Sequence, residues 1–269
     1  MLTTAAILLV LVGVLMYHIP DIYRALLSII MVFTSYIWIV AANTLNKPIE
    51  AAVNNYYYRD ALQLLAKNPR LIVIGITGSY GKTSTKNVLY TMLSKDFNVL
   101  MTPESFNTKM GLTRTIREHL KPTHQILIAE MGAKEVGDIK ELCEFVRPSF
   151  GVITSIGPQH LDTFKTFENI ISTKGELFKY LQPGGTAFVN VDDENVRNIV
   201  LRDDVTAVKY SAENNMTLSP DYYIEDTRVS SNGSSFTLVQ SKTGKKIRLN
   251  TRLLGKHNLS NVIAGISIA

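Results

Sequence analysis

A chain of 269 residues with 46% apolar side chains can build one large domain or two ordinary ones with a real core, which excludes disordered and fibrous classes. The formal net charge is +5, with basic residues spread rather than blocked, so it suits a solvated surface plus an anion site, and no interleaved basic and aromatic stripe points to nucleic acid. Cys143 is the only cysteine, so an internal disulfide framework is excluded, and the residue reads as a small buried hydrophobe.

In chain order, residues 1 to 17 (MLTTAAILLVLVGVLMY) and 25 to 42 (ALLSIIMVFTSYIWIVAA) carry no charge. A membrane span takes about 20 apolar residues, about 17 at the low end. Residues 1–42 are therefore expected to form a membrane anchor of one or two transmembrane helices around the turn HIPDIYR, with a buried core hairpin as the alternative. A cleaved signal peptide is disfavoured, because the first run has no positive leader. Lys47, Arg59, Lys67 and Arg70 follow the second run, whereas the turn holds only Arg24. That bias expects the cytoplasmic membrane as location, with the downstream domain on its cytoplasmic side. Residues 43–70 are expected as a juxtamembrane amphipathic helix, with Ile49, Val53, Tyr56, Leu62 and Leu65 at helical spacing and Tyr56 to Tyr58 as interfacial packing.

From residue 71 the pattern changes to apolar strands alternating with helices. Strands are expected at 71–76, 97–101, 125–130, 150–154, 186–190 and 205–210, and helices at 82–95, 111–120, 135–146, 166–181 and 193–201. Near-continuous apolar strands between helices predict an α/β fold with a mostly parallel sheet covered on both faces. Residues 220–251 alternate in polarity around the turns SNGS and KTGK, which predicts a small antiparallel extension. The last stretch, HNLSNVIAGISIA, reads as a helix with no stop signal, as if a further domain followed.

The first strand runs into Thr77-Gly78-Ser79-Tyr80-Gly81-Lys82-Thr83. The strict G-x-x-x-x-G-K-[ST] pattern fails because position 76 is Ile, but Gly78-x-x-Gly81-Lys82-Thr83 lies between a strand and a helix, as a phosphate cradle requires. Glycines let backbone N–H groups approach phosphate oxygens, the helix start adds partial positive charge, Lys82 reaches the terminal phosphates and Thr83 offers a hydroxyl to Mg²⁺. The competing reading is an accidental glycine turn. Glu130 ends the strand of QILIAEMGA, where an acid beside a cradle can hold Mg²⁺ or its water, although a strand-end carboxylate alone is not diagnostic. His160 follows a Gly-Pro turn at the ligand edge, and Lys174 on a helix would ordinarily pass as a solvated residue.

Together GITGSYGKTSTK (75–86), SFNTKMG (105–111), EMGAKEVGDI (130–139), GVITSIGPQHLDTF (151–164), STKGELF (172–178), NVDDE (190–194) and GKHNLSNVIA (255–264) resemble the Mur ligase family, ATP-dependent enzymes that join an amino acid or peptide to a carboxylate. The resemblance covers residues 71–269, as a central ATP-binding domain, and is nearest to the branch that adds D-alanyl-D-alanine in peptidoglycan synthesis. It implies that Gly78, Ser79, Gly81, Lys82, Thr83 and Ser84 hold the ATP phosphates, that Asn107 lies near phosphates and substrate, and that Asn258 faces the adenine. It also implies two magnesium ions, one held by Thr83 and Glu130 and one by His160 with a carbamylated Lys174. Lys82, Lys174 and His160 would then carry catalysis, with a substrate carboxylate attacking the γ-phosphate to give an acyl phosphate that an amine converts to amide.

The chain departs from the family's pattern in three places. The expected membrane segments stand where the family's UDP-sugar-binding domain is usual. Thr108 and Lys109 stand where the second motif usually has an asparagine and an acid. The chain is expected to be truncated before the C-terminal domain that brings the amine. The expected partners are thus ATP, a carboxylate-bearing cell-wall precursor, an amino acid or dipeptide, and a membrane. Three other readings stand beside this one: the same chemistry on another envelope precursor, a non-catalytic nucleotide-binding scaffold at the membrane, and an unrelated P-loop ATPase, which would not need His160 and Lys174.

Overall fold

The structure is a computed structural model that describes residues 20–213 and 215–269. The chain divides into two units, Met1–Tyr56 and Tyr57–Ala269.

Helix α1, Asp21–Ala66, includes Pro48 and provides the described part of the first unit. Ile29, Phe33, Ile37 and Trp38 are exposed on it. Among the described residues no single helix is long and apolar enough to cross a membrane; only the pair Asp21–Ile30 and Val32–Ala66, bent by 49°, passes on length and composition. The transmembrane helices expected within residues 1–42 are therefore not supported. The bend divides the 25–42 run, and past Ala42 the helix turns polar at Asn43, Asn46, Lys47 and Glu50. The other expected span, residues 1–17, lies outside the described residues.

The second unit begins with the last turns of α1. Ala61 is fully buried there, Tyr58, Leu62 and Leu65 pack against the core, and the Tyr58 and Phe145 rings lie 4.8 Å apart. Of the expected amphipathic stripe, only Leu62 and Leu65 turn inward, whereas Ile49, Val53 and Tyr56 are exposed.

One nine-stranded sheet follows, in the order β2-β3-β1-β4-β5-β6-β7-β8-β9. Its parallel part is β1 (Ile72–Thr77), β2 (Val99–Met101), β3 (Ile126–Glu130), β4 (Phe150–Ile153), β5 (Thr186–Asn190) and β6 (Thr206–Ser211). Strand β7 (Tyr222–Ser230) joins β6 in parallel, then pairs antiparallel with β8 (Gly233–Gln240), and β8 with β9 (Lys245–Thr251). The mixed, mostly parallel sheet with an antiparallel extension is the expected one.

Side chains alternate between two cores, as strand geometry requires. Val73, Leu127 and Ala129 face one core, which α3 (Lys109–His119), α4 (Asp138–Val146) and α6 (Phe167–Lys179) complete. Ile74, Ile76, Ile126 and Ile128 face the other, under α2 (Lys82–Leu93) and α8 (Lys256–Ile268). Cys143 on α4 is 1% exposed, the inert buried thiol expected of it.

Short polar caps set the helix starts. Thr108 accepts from Gly111 N at 3.2 Å to open α3, and Thr166 from Asn169 N at 3.2 Å to open α6. Helices α5 (Leu161–Phe164) and α7 (Glu194–Arg197) are single turns, so the helix expected over 193–201 is much shorter. Strand β1 lies between β3 and β4, the point where chain order reverses, and ligands of such sheets bind beyond the carboxyl ends of the strands there.

Candidate phosphate and substrate site

At that switch point β1 passes through Gly78–Gly81 into α2. Gly78 and Gly81 have φ of 144° and 84°, conformations that favour glycine. A Cβ on Gly78 would lie 2.1 Å from Thr154 Oγ1, and one on Gly81 would lie 2.3 Å from Asn261 Oδ1. The loop is thus packed too closely for side chains at either position. Ser79 secures it to the segment after β4: Ser79 N donates to Ser155 O at 2.7 Å, and its hydroxyl donates to Gly157 O at 2.9 Å while accepting from Gly157 N at 3.0 Å.

Lys82 opens α2 and curls back over the loop, its Nζ donating to Gly78 O at 2.7 Å. Burial lowers its pKa, against the opposing pull of Glu130. Thr83 and the half-buried Ser84 complete the first turn. Glu130 comes from the end of β3, in register with Ile76 of β1. Thr83 Oγ1 donates to Glu130 Oε2 at 3.0 Å, Lys86 Nζ lies 3.0 Å from the same oxygen, and Asn107 Nδ2 reaches Oε1 at 3.3 Å. The pairing of a hydroxyl with a carboxylate at a phosphate loop fits Mg²⁺, a hard cation that takes one or two protein oxygens and completes its shell from phosphates and water. Among the described residues no three His, Cys, Asp or Glu side chains gather as a self-sufficient metal cluster.

Two cavities flank the loop. The first, of about 420 Å³, is lined by Lys82, Asn107, Lys109, Asp138, His160 and Lys174 among others. Three of the sequence-derived candidates thus meet around Lys82. Lys174 is only 4% exposed, so its reading as a solvated helix residue is excluded. Its pKa is lowered to about 8, first by burial and next by Lys82, with Asp138 opposing. His160 is exposed, at φ 53° just before α5. Lys109 was not anticipated as a lining group; its Nζ donates to Glu141 Oε1 at 2.7 Å and sits 4.2 Å from the centre of the Tyr58 ring.

The second cavity, of about 740 Å³, is lined by Tyr80, Gly81, Asp192, Asp193, His257 and Asn261 among others. Asp192 accepts from Ser211 Oγ and from Ala212 N, each at 2.6 Å. Burial raises its pKa against those bonds. Helix α8 reaches this cavity through Lys256, His257, Ser260 and Asn261. Asn258, the expected adenine contact, instead donates to Leu254 O at 2.8 Å.

Lys86 was missed, although a signal existed. Spaced with Leu89 and Leu93 on α2, it falls on the inward stripe of that helix, where a lysine needs a partner.

A glycine loop running into Lys-Thr at a helix start, at the switch point of a parallel sheet and with an acid on the neighbouring strand, defines a P-loop nucleotide-binding domain. The profile of the Mur ligase middle domain matches residues 76–269, and the chain belongs to that family. The UDP-N-acetylmuramoyl-tripeptide–D-alanyl-D-alanine ligase of Mycobacterium tuberculosis is 33% identical over 211 residues, covering 78% of this chain and 39% of that protein. The enzyme of the same name from Escherichia coli is 29% identical over 200 residues, 73% of this chain and 42% of that protein. Among solved structures, MurF ligase from Thermotoga maritima in complex with ADP superposes with a TM-score of 0.71 at 26% identity, covering 80% of this chain and 48% of that one. MurF from Acinetobacter baumannii gives 0.71 at 25% identity, covering 80% and 46%. The chain thus spans about two fifths of the length of the curated relatives it matches.

Proposed function

We propose that this chain is the ATP-using domain of an amide-forming ligase that activates a carboxylate, with D-alanyl-D-alanine addition to a UDP-muramoyl-peptide in peptidoglycan synthesis as its reaction. The observation that carries the reading is the placement of the phosphate loop between two cavities, Lys82 lining one with Asn107, His160 and Lys174, and Gly81 lining the other with Asp192 and Asp193. That arrangement suits a nucleotide whose base and sugar occupy the larger cavity and whose terminal phosphate points toward an acyl substrate in the smaller one. The ADP complex of the Thermotoga maritima relative supports the nucleotide.

In this reading a carboxylate oxygen bonds to the γ-phosphorus as the bond to ADP breaks. The amine nitrogen then bonds to the acyl carbon, inorganic phosphate leaves, and the ammonium proton passes to solvent. Lys82 exchanges Gly78 O for phosphate oxygens and offsets charge in the transition state. Thr83 and Glu130 would hold one Mg²⁺, and His160 with Lys174 a second; bound there, the ions would polarise the transferring phosphoryl group. The lowered pKa of Lys174 supplies a neutral amine at mildly alkaline pH, which can add to carbon dioxide and lose a proton to give a carbamate. Asn107 bridges Glu130 and the acyl cavity, and Asn258 is retained as a candidate only for a nucleotide-bound arrangement in which it leaves Leu254 O. In an ADP- and phosphate-release assay with Mg²⁺, turnover should require both the carboxylate and the amine; ADP release indifferent to the carboxylate would point to a plain ATPase.

The exposed Ile29, Phe33, Ile37 and Trp38 of α1 favour attachment of the first unit to a membrane, and the basic residues Lys47, Arg59, Lys67 and Arg70 that follow favour the cytoplasmic side for the ligase domain. The full chain should float with anionic vesicles, and a form lacking residues 1–42 should stay in solution; equal partitioning of both would remove the attachment.

A further inference from the structure

Lys86 carries a charge that no step of the proposed chemistry uses. Its side chain is 2% exposed, and its Nζ lies 3.0 Å from Glu130 Oε2 while donating to Glu104 O at 2.7 Å. Burying an ammonium costs several kcal/mol in lost hydration, so the position demands compensation, and Glu130 provides it. The carboxylate that faces Thr83 is therefore already neutralised from within the fold. The second bond has its own effect. Glu104 is left-handed, with φ 39°, in the turn closed by Phe106 N to Pro103 O at 3.0 Å. That turn presents Asn107, whose amide reaches Glu130 Oε1 at 3.3 Å. One amine thus ties the acid of β3, the second turn of α2 and the loop carrying Asn107.

We propose that Lys86 is a positioning residue that stands in for a cation at Glu130, so that a divalent ion is held only together with nucleotide phosphates. The inference rests on the reading of this site as a metal–nucleotide cradle. With the ammonium in contact, the carboxylate presents almost no net charge to an arriving metal, and its attraction at that distance is correspondingly weak. Phosphates restore both the missing charge and the missing oxygen ligands. Metal and nucleotide binding are then coupled, each tightening the other by the same factor.

Manganese, read by electron paramagnetic resonance, is the probe, with the full chain as wild type, Lys86→Met and Lys86→Arg at mildly alkaline pH. Wild type should bind manganese weakly alone and about tenfold or more tightly with ADP, within the usual range of coupled sites. Lys86→Met should bind manganese alone about tenfold more tightly than wild type, and the tightening by ADP should shrink by a similar factor. Lys86→Arg, which keeps the charge, should behave as wild type. Amide exchange over residues 103–108 should accelerate in Lys86→Met before any ligand is added, and not in Lys86→Arg. If Lys86→Met does not fold, Lys86→Gln keeps a donor for Glu104 O, drops the charge and carries the same expectation for manganese. Unchanged manganese affinity in the neutral variant overturns the proposal, whatever its melting temperature, because a merely structural lysine would lower only stability. If the wild type couples metal to ADP and the variant does so equally, Lys86 loses its role while the cradle stands. If the wild type binds no ADP at all, the cradle reading falls and takes this one with it.

Discussion

Replacing Lys174 with methionine should make the protein more stable at neutral pH, even though it removes a group assigned to catalysis. The amine is 4% exposed and, among the described residues, has no hydrogen-bond or ion-pair partner. Its pKa falls from 10.5 to about 8, with burial the first cause and Lys82 the second. At about 1.4 kcal/mol per pKa unit, the folded protein gives up about 3 kcal/mol to keep this ammonium charged. The sign follows from the two titrations. Below about 8 the amine is protonated in both folded and unfolded chains, so the full cost applies. Between about 8 and 10.5 the folded chain sheds its proton first and the cost disappears. Methionine fills a similar volume without the charge, so its advantage should be largest at neutral pH and shrink across that window. Urea unfolding of both proteins in carbon dioxide-free buffer, at neutral pH and near the top of the window, measures the difference. A variant less stable at neutral pH, or an advantage independent of pH, would refute the claim that desolvation sets this lysine's state. A stability deficit held at a working residue is a common signature of function.

Three further outcomes can be checked more simply. Gly78→Ala forces a side chain into φ 144° with its Cβ 2.1 Å from Thr154 Oγ1, so urea unfolding should show a loss of about 1–3 kcal/mol from the backbone alone, plus the clash. Lys82→Ala should leave the fold intact, since its bond is to the loop's own carbonyl, and abolish ADP binding by titration calorimetry. The thiol of Cys143 is buried and its pKa is pushed far up, by burial first and then by Glu176 and Glu144; thiol reagents should label it only at the rate of unfolding.

The parallel strands were legible because burial on both faces leaves an unbroken apolar run, as in IVIGIT and ILIAE. The antiparallel extension was legible from its alternation and turns. The cradle was legible because its residues are local, a strand, a loop and a helix start within one stretch. What escaped depends on contacts between distant segments. Lys109 meets Tyr58 through tertiary packing that no local pattern encodes; helical spacing marks Lys86 as inward-facing, but not that its partners are Glu130 and Glu104. Asn261 escaped within a single turn of α8, since a motif names residues but not the helix phase that sends Asn261 into the cavity while Asn258 donates to Leu254 O. The long apolar run after residue 24 is ambiguous for a different reason: composition predicts one continuous span, whereas the bend between Ile30 and Val32 divides it, so only the bent pair passes on length and composition.

The proposed reaction spends the nucleotide on activating a carboxylate. The most direct test is isotope transfer: the acyl substrate is labelled with oxygen-18 in its carboxylate and incubated with ATP, Mg²⁺ and the amine. An acyl phosphate intermediate predicts one labelled oxygen in each inorganic phosphate released, matched one to one with amide formed, and no release with Lys82→Ala. Phosphate free of label, while amide accumulates or ADP appears, would contradict it.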